Sequence, residues 1–142
     1  MYDDKISAEG WGYVDHPYAA VHWSGDNIGA DFAEPKGEFM MTFPDSSGSL
    51  YTPTAMHLHA PSEHTVNGEH FDAELHIVHY NKGTETPGAV ISIFYDLEKG
   101  GLKESELLTS LFEGRELGMG AVNLRWFLRR EVNMEKYWQY RG

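Results

Sequence analysis

The sequence predicts a mainly β domain of the α+β class, with a few short helices confined to the last third of the chain. Three observations predict it. Apolar and β-favouring runs recur through the middle of the chain, each stopped by a turn-forming cluster. One of them, Ala89-Val90-Ile91-Ser92-Ile93-Phe94-Tyr95, is almost wholly apolar, as suits a strand buried on both faces. After Gly100-Gly101 the apolar period changes from strand-like to helical.

Taken in order, residues 1–37 are rich in Gly, Pro, Asp and aromatics without a sustained period, and are expected to form irregular cover. A first strand is expected over 38–43, stopped by Pro44-Asp45-Ser46-Ser47-Gly48. A second is expected over about 53–60, a third over about 70–80 and a fourth over 89–95. Leu107, Leu108, Leu111 and Phe112 fall on one stripe of a helix of about ten residues, closed by Gly114, Gly118 and Gly120. Leu124, Phe127 and Leu128 mark one more helical turn. The length of 142 residues points to one domain over 1–142, made of a cover (1–37), a sheet core (38–96) and a helical and aromatic end (102–142). A chain of this size buries roughly 68–70% of its unfolded surface, enough for a real core.

Asp and Glu number 22 against 11 Lys and Arg, a net charge of −11. Nucleic acid or an anionic membrane as main partner needs basic patches, so the charge argues against both and no nucleic-acid partner is expected; the acidity itself reads as simple solubility. Without cysteine there is no disulfide framework and no thiolate metal site. No apolar run is long enough to span a bilayer. The start, Met1-Tyr2-Asp3-Asp4-Lys5, has neither the basic nor the apolar part of a signal peptide, so none is expected in this sequence.

Six of the eight histidines lie between positions 57 and 79. His57 and His59, two apart on an expected strand, leave it on the same face. A loop containing Pro61, Asn67 and Gly68 lets the chain return as an antiparallel neighbour, where His76 can meet the pair. Three imidazoles from two adjacent strands suit tetrahedral Zn²⁺ with its fourth position open, a catalytic rather than a structural arrangement. Glu74, two residues before His76, is placed to hold the second N–H of that ring, and Glu63 is placed to face a metal-bound water. His64, His70 and His79 read as structural, hydrogen-bonding histidines.

These residues carry a family resemblance. Met56-His57-Leu58-His59-Ala60-Pro61-Ser62-Glu63-His64-Thr65-Val66-Asn67-Gly68 resembles the first metal-binding segment of α-class carbonic anhydrases. Ala73-Glu74-Leu75-His76-Ile77-Val78-His79-Tyr80-Asn81 resembles the second. Residues 89–94 are similar to the next core strand of that family. Tyr137-Trp138-Gln139-Tyr140-Arg141-Gly142 is similar to the segment leading into its active-site threonine loop, and Trp11-Gly12-Tyr13 with His22-Trp23 resembles its N-terminal aromatic signature. The resemblance implies a central twisted, mostly antiparallel sheet with Zn²⁺ on His57, His59 and His76. Glu74 would orient His76, Glu63 would be the gate-keeping carboxylate, and Val78 and Val90 would line the CO₂ pocket. The implied activity is reversible hydration of CO₂ to bicarbonate, by a hydroxide that zinc makes available near neutral pH.

The sequence departs from the family in several places. The Ser-Leu-Thr-Thr-Pro-Pro segment that would follow Gly142 carries the threonine partnering the carboxylate at Glu63, so the sheet is expected to be incomplete relative to the family. No histidine stands at the proton-shuttle position, so the shuttle is left unassigned with His16 and His22 as candidates, and Ala55 replaces a glutamine. An incomplete sheet exposes apolar surface and an unpaired edge, so self-association or a completing partner chain is expected. One alternative is a catalytically weak or inactive zinc-binding subunit of a larger assembly. A remote one is a cupin-like metal enzyme, because His57-x-His59-x₃-Glu63 also resembles the first cupin metal motif, where Glu63 would itself be a ligand.

Overall fold

The computed structural model describes residues 12–13, 18–24, 27–32, 39–41, 49–81, 86–100, 103–116, 121–133 and 136–140, and before Tyr51 the description is of backbone alone. Its elements run β1 (Gly12–Tyr13), β2 (Tyr18–Ser24), β3 (Asn27–Phe32), β4 (Phe39–Met41), β5 (Ser49–His59), β6 (Thr65–Val66), β7 (Glu69–His70), β8 (Ala73–Asn81) and β9 (Pro87–Tyr95). Then come α1 (Glu106–Glu116), β10 (Ala121–Asn123) and α2 (Leu124–Glu131). Eight of the strands form one antiparallel sheet and β6–β7 a small separate hairpin.

The long strand β5 organises the sheet. One of its edges takes β4 at 49–51 and β3 at 55–57, and the sheet continues outward through β2 to β10. Its other edge takes β8, which in turn takes β9. The expectation of irregular cover over 1–37 is therefore corrected: β1, β2 and β3 lie there, and all three belong to the sheet. β2 and β3 pair antiparallel, in register from Ala19 opposite Phe32 to Ser24 opposite Asn27.

The four strands expected from 38 onward exist with shifted ends. β5 begins four residues before its expected start, and β8 begins at Ala73 because residues 65–70 are occupied by the β6–β7 hairpin. Asn67 (φ 55°) and Gly68 (φ 82°) make that turn, and an Asn-Gly pair supplies the two positive φ angles that a tight hairpin demands.

The core lies on one face of β5, β8 and β9. Tyr51, Met56, Leu75 and Ile77 pack there against Leu107, Leu111, Leu124, Phe127 and Leu128 of the two helices. Helix α1 starts on Ser105, whose hydroxyl accepts from the Leu108 N–H at 3.1 Å. Glu131, the last residue of α2, accepts from the Leu107 N–H (2.8 Å) and the Ser105 hydroxyl (2.6 Å), tying the end of one helix to the start of the other. Two helical expectations are corrected. Gly114 lies within α1 rather than closing it, and Phe112, expected on the buried stripe, is 43% exposed. The last helical turn expected near 124–128 is a helix of eight residues. Neither helix is long and apolar enough to cross a membrane.

Candidate metal centre

The face of the sheet opposite the core is built in rows across β5, β8 and β9. His57 lies directly opposite His76, which lies opposite Ser92. One step along, His59 is opposite Glu74 and Glu74 opposite Phe94; one step the other way, Ala55, Val78 and Val90 align. Period-2 alternation puts all nine side chains on one face, while Met56, Leu75, Ile77 and Ile91 go to the other.

The ring centroids of His57, His59 and His76 stand 4.8, 5.3 and 4.7 Å apart. One ring nitrogen from each can be chosen so that all lie within 4.8 Å of one another. Glu74 decides which nitrogen His76 offers. Its Oε1 lies 2.8 Å from His76 Nε2, leaving Nδ1 to face the other two rings.

Glu74 is wholly buried. Burial alone would raise its pKa, but this is outweighed by the His64 backbone N–H, the rings of His76 and His64 and the Ser92 hydroxyl, which hold it at about 2. It is therefore a carboxylate at every physiological pH. His57 has its pKa lowered, first by burial and then by the neighbouring His59 and His76, with Glu63 opposing. Lowered basicity keeps the imidazole neutral, the form a metal needs.

The loop between β5 and β8 is pinned at Ser62, which is buried. Its N–H donates to Phe71 O (3.0 Å) and its hydroxyl to His64 O (2.7 Å), while that hydroxyl accepts from the Phe71 N–H (2.9 Å). The His70 ring joins the same clamp through Nδ1 at 2.7 Å from Ser62 O, in keeping with its reading as a structural histidine. His64 does more than that reading allowed. Its N–H donates to Glu74 Oε2 at 2.9 Å, its Nδ1 meets Glu74 Oε1 and its Nε2 meets the Tyr140 hydroxyl. Ser62, His64, Ser92 and Tyr140 thus escaped the sequence reading as site residues. The only signal for Ser92 was its being the one polar residue in an apolar strand.

Glu63 projects from this loop toward the histidines, with Oε2 3.7 Å from His59 Nε2 and 3.8 Å from His76 Nδ1. Val78 and Val90 are cross-strand partners beside the histidine row, and Val90 is 49% exposed, so that side is half open. Of the shuttle candidates, His22 sits on β2 opposite Gly29, and His16 lies outside the described residues.

The donor set fits Zn²⁺. It consists of imidazole nitrogens with no thiolate, and His59 Nε2 is buried with no hydrogen-bond partner among the described residues. A buried imidazole nitrogen left without a partner costs free energy that a cation at that point would recover.

Residues 6–142 match the eukaryotic-type carbonic anhydrase family. Alpha carbonic anhydrase 4 of Arabidopsis thaliana is 39% identical over 89 residues, covering 61% of this chain and 31% of that protein. The chain spans about a third of the length of the curated relatives it matches. Among solved structures, the α-carbonic anhydrase of Thermovibrio ammonificans, in complex with the inhibitor sulfanilamide, superposes with a TM-score of 0.54 at 29% identity. That match covers 71% of this chain and 39% of the other. The fungal α-carbonic anhydrase of Aspergillus oryzae superposes with a TM-score of 0.63 at 25% identity, covering 89% and 53%. With nearly its whole length matched, and with a sheet that these structures share, the chain belongs to the α-carbonic anhydrase family.

Proposed function

We propose that this chain is the zinc-binding part of a carbonic anhydrase, catalysing reversible hydration of CO₂ to bicarbonate and a proton. The observation that carries the proposal is the convergence of His57, His59 and His76, with Glu74 holding Nε2 of His76 so that Nδ1 faces the other two. Bound there, Zn²⁺ would supply a Lewis acid able to lower the pKa of a coordinated water to about 7.

The chain's own residues do the rest. Three neutral imidazoles hold the ion without quenching its charge. Glu74 fixes the tautomer of His76 and, held at about 2, places a permanent negative charge behind it. Val78 and Val90 offer apolar surface beside the histidine row, where a linear, uncharged molecule such as CO₂ is favoured over a charged one. Family membership removes the cupin-like alternative.

A second reading, a catalytically weak subunit that is completed by another copy or a partner chain, is favoured by one observation. Val90 is half exposed where a closed pocket wall would be, and Trp138 and Tyr140 are exposed at 56% and 58%. A chain that covered these exposed apolar side chains would remove them from water.

Stopped-flow CO₂ hydration by the zinc-loaded chain, with and without a sulfonamide, tests the first reading. Sulfonamide-sensitive turnover well above a His76→Ala control is expected. Stoichiometric zinc without turnover would sink it in favour of the second, which predicts rescue by another chain and a mass above monomer in sedimentation.

A further inference from the structure

The hydroxyl of Tyr140 is linked to a candidate ligand by an unbroken line of hydrogen bonds. His64 Nε2 meets that hydroxyl, His64 Nδ1 meets Glu74 Oε1, and the same oxygen lies 2.8 Å from His76 Nε2. The direction of each bond follows from the middle of the line. As a carboxylate Glu74 can only accept, so the ring nitrogens facing it carry the protons, on Nδ1 of His64 and on Nε2 of His76. The neutral His64 ring then offers Nε2 as an acceptor, and the Tyr140 hydroxyl donates to it. His76 is left with a bare Nδ1, the form a metal needs.

His64 is held as a stiff link in that line. Its backbone N–H donates to the other Glu74 oxygen, Oε2, at 2.9 Å, and its carbonyl accepts from the Ser62 hydroxyl at 2.7 Å. Its ring stands edge-on to those of His76, Phe94 and Tyr140, with centroids 5.9, 6.4 and 5.8 Å away. A second, independent observation lies in the segment that carries the tyrosine. Both amide atoms of Gln139 are buried, and neither has a hydrogen-bond partner among the described residues. Unpaired polar atoms out of reach of water oppose the docking of Tyr137–Tyr140, so a bond that offsets them carries weight. Tyr140 is 58% exposed and has water at hand for its hydroxyl, yet the hydroxyl turns to the ring that Glu74 holds.

We propose that Tyr140 is a positioning residue for the metal: through His64 its hydroxyl holds Glu74 against His76, so that docking of Tyr137–Tyr140 and metal binding strengthen each other. This rests on the assignment of His57, His59 and His76 as metal ligands. Such a coupling is reciprocal. Whatever factor the docked segment adds to metal affinity, bound metal must add to the docking of the segment. A tyrosine near one end of the chain thereby acts on a histidine 64 positions before it, without touching either the ion or the substrate.

Two measurements on the full chain read the two directions, neither of them through turnover. The first is zinc affinity, by competition with a chromophoric chelator. Tyr140→Phe keeps the ring and loses only the hydroxyl, and is expected to bind zinc about fivefold to tenfold more weakly with its far-UV circular dichroism unchanged. That is less than the 10–100-fold cost of losing a partner in direct contact with a ligand. The second is amide exchange, followed by mass spectrometry, in the peptide containing Tyr137–Tyr140. Zinc is expected to slow this exchange in the wild type by a similar factor and to leave it unchanged in Tyr140→Phe. A tyrosine that only packs would alter the exchange equally with and without zinc and leave the affinity as it was, and that result overturns the proposal. Wild-type exchange needs no variant, so exchange indifferent to zinc overturns it even where Tyr140→Phe fails to fold. If the wild type binds no zinc, or if His76→Ala binds it equally, the histidine assignment itself fails and takes the coupling with it.

Discussion

Two histidines three residues apart on β8 share a backbone and almost nothing else. His76 is on the carboxylate-lined face, with Glu74 on one ring nitrogen and the other turned toward His57 and His59. His79 is on the core side, wholly buried, with its Nδ1 2.9 Å from Ile77 O. Burial is the largest influence on His79 and lowers its pKa to about 4, against the opposing backbone bonds to Ile77 and Ala89. One ring has a negative charge behind it and two other imidazoles in front; the other has neutral carbonyls in a closed core. A histidine becomes a ligand candidate when a carboxylate takes one nitrogen and the fold leaves the second unsatisfied. It becomes a structural residue when main-chain atoms satisfy it in a closed core.

The sharpest way to break this comparison is to remove each ring in turn. His76→Ala is expected to lower zinc affinity at least about a thousandfold, beyond the 10–100-fold that losing an outer partner costs. His79→Ala is expected to keep one zinc per folded chain while losing stability, because it empties a closed part of the core. Competition with a chromophoric chelator measures the first and urea unfolding the second. Loss of zinc from His79→Ala, with the fold intact, would erase the distinction.

The next effect is the pH dependence of stability in the metal-free chain. His79 is neutral when folded and binds a proton near pH 6.5 when unfolded, so between pH 6.5 and about 4 the unfolded state holds more protons. Stability is therefore full above pH 6.5 and falls as the pH drops toward about 4, where the loss levels off. At 1.36 kcal/mol per pH unit this amounts to about 3 kcal/mol. Over the interval from 6.5 to about 5 Glu74, held at about 2 against an ordinary 4.5, does not interfere, while His57, whose pKa is also lowered, adds a slope of the same sign that a His79 variant retains. Urea midpoints across the interval should slope in the wild type and flatten in His79→Gln. Equal slopes in the two would assign the effect to other groups.

The histidine face was legible in the sequence because its signal is local. His57 and His59 are two apart, Glu74 and His76 are two apart, and a loop with Asn67-Gly68 lets the strands return on each other. The N-terminal strands were not legible because their reason for existing is distant. β2 is a strand because β3 and β10 pair with it, and Tyr18 meets Asn123 from the far end of the chain. No periodicity within Tyr18–Ser24 announces that. His64 was read as structural for a similar reason: its place on a loop says nothing about Glu74 ten residues on or Tyr140 near the other end. Phe112 was assigned to the core because its helical phase allowed it, but the buried stripe of α1 is narrow and leaves that ring half out.

The smallest effect is also the most diagnostic of how the His76 side of the comparison works. Glu74→Gln preserves the shape of a buried side chain while removing its charge and turning one acceptor oxygen into a donor. The wild-type carboxylate accepts from the His64 N–H and meets the rings of His64 and His76. An amide cannot accept all of these. If its oxygen serves the His64 N–H, its NH₂ confronts His76 Nε2 and favours the tautomer with the proton on Nδ1, where the metal should bind. Zinc affinity is therefore expected to drop by about 10–100-fold, or roughly 1.4–2.7 kcal/mol, with the fold retained. Glu74→Asp keeps the charge but withdraws it by one methylene, and should fall between wild type and Gln. If Gln bound zinc as tightly as Glu, the tautomer of His76 would be set by the metal alone, and the carboxylate behind it would be only a buried hydrogen-bonding hub for the loop.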